Sequence, residues 1–271
     1  MAAMTEQREQ SQVFGEVADS YHAARLDYPE ELVADVLGYA RLDGLPAVEV
    51  GAGTGKATLS FAAHGLELTC VEPDPRMAQV LRRTVAPYPA VRVENLTFED
   101  WRPGGRRFGL LYAATSWHWT DPARRWDLAH EALVPGGTVA LFWNGTAVVD
   151  PAVHAALAEV DADYPGLRPP HVRLAAEVDA DAEDWGRHGD SPEAETRGDS
   201  RFTEQLSTRH RRPQHFGTAR YLDYLDSISR YRILSDERRE RVLSETARVL
   251  DAHGGGIDMI AYTFAFKART R

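Results

Sequence analysis

Cysteine occurs once in this 271-residue chain, at Cys70. One thiol permits neither an internal disulfide nor a thiolate metal cluster. The alternation of Leu66, Leu68 and Cys70 places that thiol on the inward face of a strand, where it packs. Lysine is nearly missing too: Lys56 and Lys267 are its only occurrences among 31 basic residues, an arginine bias that marks a GC-rich, bacterial coding genome. The formal charge of −10 and pI near 5.5 leave no basic face to follow a phosphate backbone, so no nucleic-acid partner is expected. No apolar run approaches the roughly 20 residues of a membrane span. The stretch from Met1 to Gln12 is too polar for a secretory signal. The expected location is therefore the cytoplasm, with no membrane partner. Histidines such as His154, His171 and His188 are scattered, without the i, i+4 pair and third ligand of a helical metal site, so no catalytic metal is expected. No Gly-x-Ser-x-Gly elbow offers an acyl-enzyme nucleophile, and no repeat or sustained heptad suggests a solenoid or filament.

What is present is alternation between two periodicities. Leu32, Val33, Val36, Leu37 and Ala40 recur at helical spacing before a break at Gly44 to Pro46. Strand-like Ala47 to Val50 follows, then a glycine turn, a helix to His64, a strand at Leu66 to Glu72, a helix from Pro75 and a strand at Val91 to Leu96. This βαβαβ order implies a parallel sheet. The apolar run Phe108 to Ala114, a helix from about Pro122 to Leu133, a Pro135-Gly136-Gly137 turn and a strand at Thr138 to Asn144 extend it. Between Asp150 and Arg201, after a short helix near Ala152 to Val160, the chain becomes rich in Asp, Glu, Gly and Ser, as expected of a lid or insertion. A strand at Gln205 to His215, helices near Thr218 to Ser229 and Asp236 to His253, and alternation from Ile257 to Phe266 predict a terminal antiparallel addition at the sheet edge.

The chemistry-bearing feature is Val48-Glu49-Val50-Gly51-Ala52-Gly53-Thr54-Gly55. A strand ending in such a turn and running into a helix brings backbone close to a ligand and aims amide donors at it. A P-loop needs four residues between its first glycine and Gly-Lys, then Ser or Thr; here three intervene and Ala57 follows Lys56. A dinucleotide fingerprint spaces its last glycine two residues after the second, whereas one residue separates Gly53 from Gly55. Glu72 ends the next strand about twenty residues on, where a carboxylate can accept ribose hydroxyls, and Pro73, Asp74 and Pro75 fix a tight turn behind it.

The acidic-x-Gly-x-Gly-x-Gly pattern resembles the first motif of class I S-adenosylmethionine-dependent methyltransferases. Asn95-Leu96-Thr97-Phe98-Glu99-Asp100 resembles that family's adenine-reading loop. Ala113-Ala114-Thr115-Ser116-Trp117-His118-Trp119 resembles the small-residue-then-His-Trp segment of its bacterial small-molecule members, including the trans-aconitate type. Phe14 to Tyr21 and Arg25 to Pro29 look like its N-terminal segment, which folds over the cofactor. The resemblance covers about Phe14 to Asn144. It implies S-adenosylmethionine as cofactor, bound by Tyr21, Arg25, Glu49, Gly51, Ala52, Gly53, Thr54, Glu72, Pro73, Met77, Phe98, Glu99 and Ala114. Met77 would pack on the adenine, and Arg25 would pair with the methionine carboxylate. His118 is the candidate base, although Trp117 and Trp119 would equally fill core and His118 could hydrogen-bond backbone.

The expected fold is α/β: a Rossmann-like, doubly wound, seven-stranded sheet, mostly parallel with one antiparallel edge strand. An N-terminal helical cap spans 1–46, a cofactor-binding core 47–147, an acidic insertion or lid 148–204, and C-terminal strands and helices 205–271. The expected activity is in-line methyl transfer from S-adenosylmethionine to a small-molecule acceptor, with oxygen favoured. A nicotinamide-dependent oxidoreductase and a non-catalytic cofactor-binding protein are the rival readings.

Overall fold

The computed structural model describes residues 24–180 and 191–271. Its seven strands are β1 (Ala47–Val50), β2 (Leu68–Val71), β3 (Val91–Glu94), β4 (Phe108–Ala114), β5 (Leu133–Val148), β6 (Phe202–Gly217) and β7 (Gly256–Thr270). They form one sheet in the order β3-β2-β1-β4-β5-β7-β6. The sheet is mixed, mostly parallel with an antiparallel edge, as the alternating periodicities predict. β1 pairs in parallel with both β2 and β4, so the chain winds outward from β1 to β3 and then returns to start again on the other side. That reversal opens a crevice beyond the C-terminal ends of β1 and β4, the place where open α/β sheets bind ligands.

Helix α1 (Glu30–Ala40) precedes β1, α2 (Lys56–Ala62) and α3 (Pro75–Thr84) follow β1 and β2, and α4 (Arg125–Ala132) lies between β4 and β5. The start of α3 is chemically fixed. Asp74 accepts from the amides of Arg76 and Met77, and Pro75 occupies the first turn, where its missing N–H costs nothing. The later helices are α5 (Pro151–Asp161), α6 (Ala175–Ala180), α7 (Pro192–Thr196), α8 (Thr218–Asp226), α9 (Ser229–Arg232) and α10 (Asp236–Ala252). Among the described residues no helix is long and apolar enough to cross a membrane.

The described residues divide into two compact units, one of 27–144, 191–210 and 263–271, the other of 24–26, 145–180 and 211–262. In the first, two apolar cores cover opposite faces of the sheet: Val48, Val50, Leu111 and Trp117 lie in one, and Ala47, Cys70, Leu110 and Phe142 in the other. The second unit has its own core, which includes Val153, Leu157, Phe216, Tyr221 and Met259.

Two local expectations change. Pro135-Gly136-Gly137 is a bulge inside β5, not a turn ahead of it: opposite Phe108 and Leu110 the register jumps from Leu133 to Thr138, and the extra residues leave the pairing without ending the strand. The helix expected from Pro122 begins at Arg125.

Candidate functional site

At the end of β1 the chain turns through Gly51, Ala52, Gly53 and Thr54. Gly51 has φ +67°, and a Cβ there would lie 2.5 Å from that of Ser116. Ser116, just after β4, donates its hydroxyl to the Val50 carbonyl. The turns after β1 and β4 are thereby locked together at the switch point. Gly53 differs: its φ is +59°, and among the described residues a Cβ there would meet nothing within 4 Å. The missing side chain leaves open space over backbone, which a ligand can occupy. Ala52 and Thr54 are buried beneath.

Glu72 sits directly against this turn. Its Oε2 accepts from the Gly53 amide at 2.7 Å and its Oε1 from the Asp74 amide at 2.9 Å. Asn95, after β3, donates to the carbonyls of Glu72 and Pro73 and so holds the loop in place. Burial raises the Glu72 pKa from 4.5 to about 7, against the pull of its two amide donors. Met77 is buried one turn into α3.

Glu49 is built differently. It is buried, and its Oε2 accepts from Thr58 of α2 at 2.6 Å and from Tyr112 of β4 at 2.9 Å, while Oε1 has no hydrogen-bond partner among the described residues. Burial raises its pKa to about 7 as well. These contacts make Glu49 a tie between β1, α2 and β4. Cys70 lies beside it, buried and unoxidised.

The segment after β4 carries the next group. Thr115 has φ +56°, which is rare for a β-branched residue, and its hydroxyl shares a 2.9 Å hydrogen bond with the Tyr28 hydroxyl. Trp117 is buried against Phe98 and Trp126, at ring separations of 6.0 and 5.1 Å. His118 reaches the surface while protein atoms crowd its ring. That crowding, and second the positive Arg125, lower its pKa from 6.5 to about 4. His118 is neutral at pH 7 and weakly basic. Glu99 links the two segments, because its Oε1 accepts from the Asp121 amide at 2.7 Å. Phe98 packs in the core, stacked on Trp101.

The structure thus assembles Gly51, Gly53, Glu72 and the Ala114 to Trp119 segment at one edge. Tyr21 lies outside the described residues. Arg25 donates to the Ser227 carbonyl at 3.1 Å and lies over the Tyr224 ring, partners in the second unit. Sequence reasoning gave no individual role to Asn95, Tyr28 or the Arg125–Glu195 pair, whose partners lie 22 to 87 positions away. No local pattern announces such pairings.

Residues 47–137 match the methyltransferase domain family. An uncharacterised methyltransferase of Mycobacterium tuberculosis is 32% identical over 139 residues, 51% of this chain and 54% of that protein. The mycinamicin-resistance protein MyrB of Micromonospora griseorubida is 31% identical over 112 residues, 35% of each chain. The alignment thus spans about half the length of the mycobacterial relative. Among solved structures, a candidate type II methyltransferase of Anaeromyxobacter dehalogenans superposes with a TM-score of 0.61 at 24% identity, over 91% of this chain and 97% of that one. The YcgJ protein of Bacillus subtilis reaches 0.52 at 13% identity, over 90% and 99%. Over residues 47–137 the chain is thus similar to methyltransferase domains, and its fold is that of the methyltransferase structure on which it superposes.

Proposed function

We propose that the chain binds S-adenosylmethionine at the β1 and β2 edge and transfers its methyl group to a small-molecule acceptor, with an oxygen atom favoured. The observation that carries this reading is the Gly53 to Glu72 hydrogen bond, which joins an open glycine turn to a buried carboxylate at the topological switch point. Such a pair suits an adenosine: the carboxylate can accept two ribose hydroxyls, and no phosphate-binding loop is needed. Gly51, Gly53 and Glu72 would hold the cofactor, with Met77 and the Phe98-Glu99 loop toward the adenine and Ala114 toward the sulfonium. The bound cofactor supplies a methyl carbon activated by positive sulfur. The protein's task is then chiefly alignment.

His118 stands in the segment where an acceptor would meet that methyl. A neutral imidazole of low basicity removes a proton only from an acidic acceptor. This supports an acceptor oxygen that is acidic or already ionised over an aliphatic alcohol. The chain's net charge of −10 supports small molecules over nucleic acid. Calorimetry with S-adenosylmethionine and S-adenosylhomocysteine tests the cofactor assignment: saturable binding of both is expected, and absence of both overturns it. Mass spectrometry of a metabolite extract incubated with enzyme and labelled cofactor then identifies the acceptor.

A further inference from the structure

The chain after β5 reaches Arg125, beside the His118 turn, through the side chain of Glu195. Helix α7 is capped by Ser191, whose hydroxyl accepts from the Ala194 amide, and this sets Glu195 toward α4. The Glu195 carboxylate accepts from Arg125 through Nε at 3.1 Å and also through Nη2, and from Trp126 Nε1 at 2.6 Å. The third nitrogen of Arg125, Nη1, donates to the Trp117 carbonyl at 3.1 Å, and the guanidinium lies 5.7 Å from the centre of the Trp117 ring. Arg125 is thus forked onto the insertion on one side and holds the backbone immediately before His118 on the other. On the opposite flank Glu99 holds the Asp121 amide, and Arg124 donates to the Glu99 carbonyl. The turn that carries His118 is gripped at both ends, once by the loop after β3 and once by α7.

The Arg125 side chain is 10% exposed and that of Glu195 21%, so their charges act through little water. A buried ion pair adds little net stability over well-packed apolar groups. A bidentate fork does fix one geometry and one local field. We propose that Glu195 and Arg125 are a positioning pair, through which the chain following β5 fixes the Trp117-His118-Trp119 turn and its charge environment for methyl transfer. The purpose rests on the methyltransferase reading; the coupling itself does not.

The coupling is measured without an acceptor. The His118 imidazole resonances, assigned by their loss in His118→Asn, are followed against pH in the full chain. The proteins compared are wild type, Glu195→Gln, Arg125→Met and the double variant Arg125→Met/Glu195→Met. In the wild type His118 should titrate well below the ordinary imidazole value of 6.5, at about 4. Removing the Arg125 charge, alone or with Glu195, should raise that midpoint by a few tenths to about one unit, because burial is the larger cause of its lowering and remains. Glu195→Gln keeps an acceptor for Arg125 and Trp126 but leaves the guanidinium uncompensated, so it should lower the midpoint. Should Arg125→Met fail to fold, the double variant, which leaves no unpaired charge, decides. An unchanged His118 midpoint in the double variant, or in Glu195→Gln, overturns the proposal. Calorimetry with S-adenosylhomocysteine on the wild type separates the two claims, since absence of binding there removes the methyltransferase reading and leaves the titration result standing.

Discussion

The Gly53 amide donates to Glu72 Oε2 at 2.7 Å, which makes one unit of a turn and an acid 19 positions apart. A carboxylate so held is aimed before any ligand arrives, and its fixed geometry spares a binding cost. Removing it as Glu72→Ala deletes the ribose acceptor and frees the Gly53 amide. With charged hydrogen bonds worth about 1.5–3 kcal/mol each, affinity for S-adenosylhomocysteine should fall by about 10- to 100-fold or more. Titration calorimetry reads this directly, and an unchanged affinity would place the ribose elsewhere.

Gly51 and Gly53 should separate folding from binding. Gly51→Ala drives a methyl into Ser116 at 2.5 Å on a left-handed backbone, which should lower stability by about 2–4 kcal/mol and break the link between the turns after β1 and β4. Gly53→Ala meets open space and carries only the backbone penalty of about 1 kcal/mol, but its methyl fills the cradle. The expected pattern is a large Tm loss with Gly51→Ala, and a small Tm loss with lost cofactor binding for Gly53→Ala. Equal behaviour of the two would show that Gly53 does not border the ligand.

Elements of short period were legible in the sequence. The all-apolar β4 and the proline-capped α3 follow from local chemistry. The glycine turn and Glu72 were legible because spacing along a βαβ unit fixes spatial proximity. The environment of Glu49 was not, because Thr58, Cys70 and Tyr112 meet it only once three strands and a helix have assembled. Its motif position predicts a ligand-side role, while its contacts make it an internal tie. The Pro135-Gly136-Gly137 bulge was misread as a turn, since local conformation cannot reveal that pairing with β4 resumes beyond it.

Glu49 and Glu72 both have pKa values raised by burial to about 7 from 4.5. A raised acid binds its proton more tightly when folded, so between pH 4.5 and 7 the folded state holds more protons than the unfolded one, and stability falls as pH rises through that window. The loss should be on the order of 1–3 kcal/mol per group. Glu49→Gln keeps an acceptor for Thr58 and Tyr112 without the charge. Its Tm should match wild type near pH 5 and exceed it at pH 8. A Tm difference independent of pH would mean that Glu49 ionises freely.

His118, with its pKa lowered to about 4, is already neutral across the physiological range. If it is the base, the pH profile of labelled methyl transfer into a metabolite extract should show no inflection near 6.5. His118→Ala should slow turnover by about two to four decades. Full activity in that variant would reduce His118 to a packing role.

Lys267 is fully buried, its Nζ 2.6 Å from Asp35 Oδ1 and 5.5 Å from the centre of the Tyr39 ring. Asp35 keeps other partners, Thr208 at 2.7 Å and His210 at 3.2 Å, and its side chain is 26% exposed. The pair joins α1 to β6 and β7, and its two members should respond unequally. Asp35→Ala strands an ammonium that water cannot reach, at a cost of roughly 3–5 kcal/mol. Lys267→Met leaves a carboxylate that water and two hydrogen-bond partners still serve, so its cost should be clearly smaller. In the double variant the stranded charge is gone, and much of the Asp35→Ala loss should return. Urea unfolding of the three proteins measures this, and additive single losses would show that the two side chains do not act as a pair.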